Sequence, residues 1–469
     1  MAANHTIRVH YRNVMSDAIG EEGLSPAELD AMGERIGRVV GTVESERRDG
    51  GHRYRDLPYQ ADTLAAVKAA ARPHRKAKNL VVLGIGGSAL GNIALQSALN
   101  SPVYNLLPTA KRKGPRLFVL DNIDPVLVRS VLDLIGPELA QTCVNVISKS
   151  GETAETASQF LIVRDLLRRR LGADQARERF VVTTDPEKGT LRDIVDAEGY
   201  ASLPVPPGVG GRFSVLSAVG LFSAAVCGIK VDRLLAGAAS MDKPVGRTDL
   251  RKNPAAMLAA VLYLFYQRGK RLHVMLPYSN QLKDLADWYR QLWAESLGKR
   301  EALDGREVFV GPTPIKALGA TDQHSQVQLY REGPNDKVIV FVEVESFDRP
   351  MPIPSRGCPA EVLEYLGGAD LGELLVREKQ ATEHALVASR RPCLTIRLPA
   401  ITPETVGQFI YLWEAATTIA GELFGVNAYD QPAVELGKVG TFALMGRSGY
   451  QKDAADIRRT SRIDRTYLV

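Results

Sequence analysis

The chain of 469 residues carries 59 lysines and arginines against 54 aspartates and glutamates, so its formal net charge is only +5. This dilute charge lacks the dense basic stripe that duplex binding requires, and the hydrophobic (45%) and charged (24%) fractions are those of an ordinary globular protein. We therefore expect no nucleic-acid partner. The length exceeds what one hydrophobic core usually serves, which predicts two large domains or three smaller ones.

Targeting and cysteine signals point to the cytoplasm. The early residues lack the apolar segment of a secretory signal, and the longest apolar stretch, Ala255 to Tyr266, is shorter than the about 20 residues that span a bilayer. The cysteines show neither CxxC spacing nor neighbouring histidines, which predicts neither a disulfide frame nor a zinc site. They are Cys143, Cys227, Cys358 and Cys393.

The first 50 residues are predicted to form a helical lead-in. Ser25 suits the N-cap of a helix, Pro26 its first position, and Glu28 the closing residue of a capping box.

From Asn79 onward the chain alternates short β-rich runs with longer helical ones. That rhythm predicts the α/β class, a parallel sheet with helices on both faces. The predicted strands of this first unit are Asn79 to Leu83, Arg116 to Leu120, Cys143 to Ile147 and Arg179 to Thr183.

The segment Met241 to Pro254 breaks the rhythm, and a second α/β unit follows it. The predicted strands there are Arg271 to Leu276, Glu307 to Val310, Lys337 to Val344 and Cys393 to Leu398, with helices such as Leu282 to Ser296 between them. We expect a first domain over residues 51–240, a second over 241–440 and a C-terminal tail over 441–469.

A glycine turn, Gly84 to Gly91, follows the first predicted strand and opens a helix. Free amides at such a helix start bind anions, and Gly87 and Ser88 would line the site. The spacing also satisfies G-x-G-x-x-A, the dinucleotide fingerprint, with Asp121 closing the next strand as a ribose-binding acid would. However, Asp121 lies well beyond the expected about 20 residues, so both interpretations stay open at this point.

A second polar loop, Ser148 to Thr153, ends the third predicted strand. Ser148, Ser150 and Thr153 supply hydroxyls and Lys149 a cation at the start of another helix, which predicts a cup for one phosphate. A capped helix without a ligand would explain Thr153 equally simply. Two such loops together favour a small monophosphate over a dinucleotide.

Four further side chains are candidates for chemistry. Arg212 sits in Gly210-Gly211-Arg212-Phe213-Ser214, where it suits an anion or is only a surface arginine in a glycine turn. Glu295, like Gln291, falls opposite the apolar face of its helix, so periodicity favours exposure to solvent unless that face borders a cleft. His324 lies in a polar loop and suits proton transfer, although a lone histidine is more often structural. Lys438 is spaced for an i,i+3 ion pair with Glu435, which needs no chemistry.

Taken together these segments resemble the glucose-6-phosphate isomerase family in its shorter bacterial form. The stretches GVGGRFSVLSAVG and YDQPAVELGK correspond to the two signatures of that family, and SKSGET lies between strands as it does there. The order and spacing match over about residues 50 to 440. Ala433 departs from the family, which usually has glycine there, and Gly151-Glu152 replaces a bulkier apolar residue of animal relatives.

The resemblance implies a pair of sugar-isomerase domains and the interconversion of glucose 6-phosphate and fructose 6-phosphate. It implies that Glu295 is the isomerising base, that Arg212 faces the enediolate, and that His324 and Lys438 open the ring. Ser148, Lys149, Ser150 and Thr153 would hold the phosphate beside Gly87 and Ser88, while Gln291 and Gln431 would bind the substrate. The resemblance implies neither a metal nor a redox cofactor. It implies a homodimer in which His324 reaches the neighbouring subunit's site.

Two other classes of protein remain as alternatives. A nicotinamide-dependent oxidoreductase would use the first glycine loop to hold its cofactor. A sugar-phosphate sensor would bind the ligand without catalysis, and would be expected to lack the base or the arginine and to carry a partner domain. Arg212, Glu295, His324 and Lys438 are all present and no DNA-binding segment is evident, which favours the isomerase.

Overall fold

The computed structural model describes residues 6–469, in which two parallel sheets are each flanked by helices. The strands are β1 (Arg8–His10), β2 (Asn79–Leu83), β3 (Arg116–Leu120), β4 (Thr142–Ile147), β5 (Phe180–Thr184), β6 (Ala201–Pro204), β7 (Leu272–Pro277), β8 (Lys299–Glu301), β9 (Glu307–Val310), β10 (Thr313–Lys316), β11 (Lys337–Val344) and β12 (Cys393–Leu398).

The helices connect these strands and form the outer layers. They are α1 (Ser16–Ile19), α2 (Pro26–Arg48), α3 (Ala61–Ala71), α4 (Gly87–Leu99), α5 (Pro125–Ile135), α6 (Ala154–Leu171), α7 (Ala173–Arg177), α8 (Thr190–Glu198), α9 (Ala218–Val226), α10 (Val231–Val245), α11 (Pro254–Gln267), α12 (Lys283–Leu297), α13 (Val327–Glu332), α14 (Leu371–Ala388), α15 (Pro403–Phe424), α16 (Glu435–Leu444) and α17 (Gln451–Thr460). None of the helices within residues 6–469 is long and apolar enough to cross a membrane.

The first sheet has the strand order β3-β2-β4-β5-β6, and all of its pairings are parallel. The chain leaves β2 for β3 on one side and then crosses to β4 on the other, so the order reverses between β2 and β4. In open α/β sheets, ligands bind beyond the carboxyl ends of the strands at such a switch point. Those two ends carry the Gly84–Gly91 turn and the Ser148–Thr153 loop.

The second sheet has the order β1-β12-β11-β7-β10. Four of its strands are parallel, and β1 closes the edge antiparallel to β12, with Arg8 opposite Arg397. This sheet therefore takes one strand from the segment predicted to be only a helical lead-in. The predicted capping box of that segment is confirmed, because Ser25 and Glu28 exchange hydrogen bonds at the start of α2.

Two other sequence expectations differ from the structure. Glu307–Val310 is a strand, but it pairs with β8 in a separate two-stranded ribbon, and Thr313–Lys316 takes the edge position in the second sheet. The segment Met241 to Pro254 is irregular only from Gly246, because α10 continues through Pro244 in its last turn. The expected boundaries at 240 and 440 fall inside α10 and α16.

The core joins the two sheets through the central helices. α15 is buried along almost its whole length and packs against α10, α11 and α12. α12 packs in turn against α4, which begins at the glycine turn of the first sheet. This packing fixes the end of α12, where Glu295 lies, relative to the loops of the first sheet.

Candidate active site

The turn that carries Arg212 lies against the first glycine loop. A Cβ added to Gly87 would sit 2.2 Å from the carbonyl carbon of Gly211 and 2.7 Å from the Arg212 amide nitrogen. Only a hydrogen atom fits between the two backbones, so any larger residue at position 87 would displace the arginine. The glycine turn faces Arg212 and Gln291, whose Nε2 lies 3.0 Å from a Cβ built on Gly86.

Arg212 is a buried cation whose guanidinium makes five hydrogen bonds. Nε donates to the Ser296 hydroxyl at 2.7 Å, and Nη1 donates to Glu295 Oε1 and to Gln431 Oε1, both at 2.9 Å. Nη2 donates to the carbonyls of Ala428 at 2.6 Å and Asp430 at 3.0 Å. Burial lowers the pKa of Arg212 and the Glu295 carboxylate opposes that effect. The ordinary pKa of an arginine lies so far above 7 that Arg212 stays charged at neutral pH.

The position of Glu295 on its helix favoured exposure to solvent, but its side chain does not point into bulk solvent. Its side chain is 27% exposed, against 1% for its partner Arg212. Its second oxygen, Oε2, accepts a hydrogen bond from Gln291 Nε2 at 2.9 Å, one turn earlier on α12. The Oε1 atom of Gln291 is buried and has no partner among the described residues. It is thus an acceptor available to a ligand hydroxyl beside the carboxylate.

Two adjoining clefts meet at this point. One, of about 700 Å³, is lined by Glu295, Gln431 and Ala433. The other, of about 590 Å³, is lined by Ser150, Thr153 and Lys438. Val434 borders both clefts, so they open side by side.

The polar loop after β4 is a cup shaped largely by its own hydrogen bonds. The Ser148 hydroxyl accepts from the Gly151 amide at 3.0 Å, and the Ser150 hydroxyl accepts from the Glu152 amide at 3.2 Å. The Lys149 carbonyl accepts from the Thr184 hydroxyl at 3.2 Å, which fixes that residue's backbone. Thr153 is the N-cap of α6, but its side chain makes no capping bond. Its hydroxyl accepts from the Ser148 hydroxyl at 3.5 Å, which leaves its own proton to donate to a ligand.

Gly151 cannot be exchanged for the bulkier residue of animal relatives in this backbone. Its φ is +78°, and a Cβ there would lie 2.4 Å from the Leu191 amide nitrogen. Among the described residues, non-glycine positions with positive φ are His52, Phe309 and Arg390. Ala433 is not one of them, so its turn does not require the family's usual glycine.

Lys438 lies across the second cleft from the cup. Its Nζ donates to Glu435 Oε1 at 2.6 Å, as the i,i+3 spacing predicted, and its side chain is 50% exposed. The C-terminal region also contacts the cup directly, because Arg447 Nη1 donates to Glu152 Oε2 at 3.0 Å.

His324 is not brought to the site within one chain. It follows the short turn Thr321–Gln323 and is exposed. Within residues 6–469 its imidazole has no hydrogen-bond or ion-pair partner, and it lines neither of the two clefts.

Similarity to known proteins agrees with this arrangement. The family model for phosphoglucose isomerase matches residues 61–351 and 362–453. The chain belongs to this family. It is 45% identical to the glucose-6-phosphate isomerase of Carboxydothermus hydrogenoformans over 98% of this chain and 99% of that one. The corresponding enzyme of Rubrobacter xylanophilus is 46% identical over 94% of this chain and 98% of its own.

Solved structures agree in fold with this member of the phosphoglucose isomerase family. A hypothetical protein of Thermus thermophilus superposes with a TM-score of 0.84 at 35% identity, covering 94% of this chain and 100% of that one. A glucose-6-phosphate isomerase of Chlamydia trachomatis superposes with a TM-score of 0.72 at 24% identity, covering 86% and 76%. The predicted α/β class with two sugar-isomerase type sheets is confirmed.

Several contacts of the site could not be found from sequence. Ser296 lies on the buried, apolar face of α12, and there it accepts the Arg212 Nε bond. The carbonyls of Ala428 and Asp430 carry no sequence signal at all, because every residue has one. Within residues 6–469, no group of three or more histidine, cysteine, aspartate or glutamate side chains is placed to hold a metal ion.

Proposed function

We propose that this phosphoglucose isomerase family member interconverts glucose 6-phosphate and fructose 6-phosphate in glycolysis and gluconeogenesis. The reaction is an aldose-ketose isomerisation that proceeds through ring opening and a cis-enediol(ate). The observation that carries the proposal is the pairing of Glu295 with a buried arginine on one oxygen and a glutamine on the other, at the edge of a cleft.

Glu295 is the proton carrier in this proposal. One carboxylate reaches both C2 and C1 of an open-chain sugar phosphate, so it takes the proton from one carbon and returns it to the other. Charge then develops on the oxygens of the enediolate. Arg212 places a permanent positive charge beside those oxygens, and Ser296 and two carbonyls hold its guanidinium in position. All five of its N–H groups are engaged, so a hydrogen bond to the enediolate requires Nη1 to exchange Glu295 or Gln431 for the ligand oxygen.

The cup holds the phosphate, and glutamine side-chain amides hold the sugar hydroxyls. Ser148, Lys149, Ser150 and Thr153 surround the phosphate, with Gly87 and Ser88 on the neighbouring wall. Thr153, whose hydroxyl makes no capping bond, and Lys438 share that cleft. Gln291 and Gln431 bind the sugar, and the free Oε1 of Gln291 supports this role.

Ring opening is assigned to His324 and Lys438. It requires proton transfer at the ring oxygen and the anomeric hydroxyl, which suits an imidazole and a nearby cation. We propose a homodimer in which His324 enters the neighbouring subunit's site. Its exposed imidazole, with no partner within the described chain, supports that placement. A cytoplasmic location is supported by four cysteines that are all free thiols.

We propose two sugar-isomerase units over residues 51–240 and 241–440 and a tail over 441–469, with β1 from the lead-in completing the second sheet. Because residues 240 and 440 lie inside α10 and α16, each limit moves to the end of its helix, Val245 and Leu444.

The test is conversion of fructose 6-phosphate to glucose 6-phosphate by the wild type, Glu295→Gln and Glu301→Gln, with product quantified after quenching. Glu301 lines the same cleft and is exposed, so it is the matched control. We expect wild-type turnover, a loss of about 100- to 10,000-fold in Glu295→Gln, and little change in Glu301→Gln. A wild type that binds the sugar phosphate without turnover would indicate a sensor. Reduction of added NAD without isomerisation would indicate an oxidoreductase.

A further inference from the structure

Lys299 is a buried lysine that touches the backbone on both sides of the candidate site. It lies at the start of β8, just beyond the end of α12, and is 8% exposed. Its Nζ donates to the Glu295 carbonyl at 2.7 Å and to the Asp430 carbonyl at 2.8 Å. The Asp430 carboxylate lies 3.4 Å away. The lysine therefore has no need of a ligand to satisfy its charge.

The first of these contacts fixes the helix end that carries the base. Glu295 lies in the last turn of α12, where backbone carbonyls lack an amide partner from a following turn. A cation at a helix C-terminus is favourable, since the carbonyls there carry a partial negative charge. Lys299 thus holds the main chain of the very residue whose side chain pairs with Arg212.

The second contact fixes the turn that receives Arg212. The Asp430 carbonyl accepts from both Lys299 Nζ and Arg212 Nη2, and the next residue, Gln431, accepts from Arg212 Nη1. One ammonium group therefore sets the spacing between the glutamate and the acceptors of the arginine. A shift in that spacing would move the Arg212 donors away from the carboxylate.

We propose that Lys299 is a positioning residue for the isomerase reaction, holding Glu295 and the Asp430 turn at the separation that Arg212 bridges. The proposal rests on the roles proposed above for Glu295 and Arg212. Reacting groups displaced by about 1 Å lose on the order of 100-fold in rate, so a residue that only holds other groups in place still affects turnover strongly.

The charged surroundings of Lys299 make its role dependent on pH. Glu295 faces it from α12, Arg212 from the glycine turn and Asp430 from its own turn, while Arg300 and Glu301 follow it on β8. Burial lowers the pKa of Lys299, and the Arg212 charge lowers it further. The ammonium therefore loses its proton at a lower pH than an ordinary lysine. An arginine at this position would stay charged.

The experiment compares wild type, Lys299→Met, Lys299→Arg and the matched control Lys270→Met. Lys270 is also buried, and its Nζ donates to a carbonyl, that of Asn335, at 3.0 Å and to a carboxylate, that of Glu22, at 2.7 Å. We expect kcat to fall about 10- to 100-fold in Lys299→Met with KM within about threefold of wild type. Lys270→Met should lower only the melting temperature.

Lys299→Arg supplies a readout that a merely structural role would not move. It should recover part of the kcat lost in Lys299→Met, and the alkaline limb of its kcat profile should lie at higher pH than in the wild type. If Lys299→Met does not fold, the alkaline limb of Lys299→Arg decides the question.

Three results would overturn the proposal. An active wild type with unchanged kcat in Lys299→Met refutes the positioning role alone. An alkaline limb of Lys299→Arg that coincides with the wild type also refutes it. An inactive wild type refutes the proposed isomerase and this inference with it.

Discussion

The two ends of the candidate site are built differently. At the Arg212 end, a guanidinium that is 1% exposed makes five hydrogen bonds to side chains and carbonyls. At the cup end, the nearby cation Lys438 is 50% exposed and, within residues 6–469, pairs only with Glu435 on its own helix. The Arg212 end is fixed before any ligand binds, whereas the cup end is exposed to solvent and can adjust.

The difference matches the demands of the two ends of a sugar phosphate. A phosphate already carries its charge in water, so open hydroxyls and amides suffice to bind it. The enediolate charge exists only during the reaction, and stabilising it requires donors whose orientation was established during folding. Variants at the two ends test whether rigidity at one end and openness at the other have these separate consequences.

The largest effect is expected from Arg212→Lys. Lysine keeps the positive charge, but its ammonium group has three N–H donors, whereas the guanidinium of Arg212 donates to five acceptors. Glu295 and Gln431 therefore lose their common partner. We expect kcat to fall about 100- to 1,000-fold, measured by steady-state kinetics. Arg55→Lys is the control, because Arg55 is equally buried but lies outside the clefts. An equal loss of kcat in both variants would count against a specific role.

Asp242→Asn tests the packing beneath the rigid end. Asp242 binds Arg55, whose neighbour Tyr54 packs on Phe213 with ring centroids 5.1 Å apart. Burial alone would raise the pKa of Asp242, but hydrogen bonds from Tyr411 and Arg55 outweigh burial and lower it from 3.8 to about 2. We expect a loss of about 2 kcal/mol in the free energy of unfolding at pH 7.

The sign of the pH dependence follows from that lowered value. The stabilisation by Asp242 is fully present above about pH 4 and is lost as the pH falls toward 2. Denaturant unfolding of wild type and Asp242→Asn should therefore differ clearly at pH 7 and less at pH 3. Asp17→Asn, an exposed substitution, serves as control. A gap that stays constant over this range would disprove the assignment.

Ser150→Ala tests the open end. Loss of one hydrogen bond to a charged phosphate costs about 1.5 to 3 kcal/mol, so KM should rise roughly 10- to 100-fold. The kcat value should change little, because the proposed role of the cup is to bind the phosphate and not the reacting carbons. Ser158→Ala, on the exposed side of α6, should leave both constants unchanged. A fall in kcat with constant KM would contradict the division between the two ends.

The smallest effect is expected from Glu435→Gln. An exposed i,i+3 pair stabilises the fold by at most about 0.5 kcal/mol, so the melting temperature should not change measurably. Removing the carboxylate leaves Lys438 free to face the phosphate, and KM should fall a few-fold at low salt. Assays at low and high ionic strength check this, since screening should abolish the gain. A gain that persists at high salt would rule out the electrostatic explanation.

Sequence predicted the longer strands, including the edge strand β3, and missed three short strands at the sheet edges. β2 and β11 are largely apolar and every residue in them is buried, which is the strongest signal a strand gives. β1, β6 and β10 lie at sheet edges, are three or four residues long, and β10 contains a proline. Their pairing depends on distant neighbours and not on their own composition.

The same contrast applies to the site. The Lys438–Glu435 pair was predicted because it is local, three residues apart on one helix. The direction of the Glu295 side chain was not predicted, because its partner Arg212 lies 83 residues away and periodicity reports only which face of a helix is apolar. The roles assigned to the site residues from family resemblance remain predictions until the variants are measured.

Because β1 pairs with β12, the first strand has no partner during synthesis until β12 has been translated. Arg8 leaves the ribosome about 390 residues ahead of its partner Arg397. At roughly 5 to 20 residues per second, this edge strand waits for roughly 20 to 80 seconds with its partner still untranslated. The first sheet, β2 to β6, is complete by Pro204 and has time to fold within that interval. The nascent chain therefore has time to form the Ser148–Thr153 loop before β12 is translated, whereas β1 can take its place in the second sheet only after Leu398 has been made.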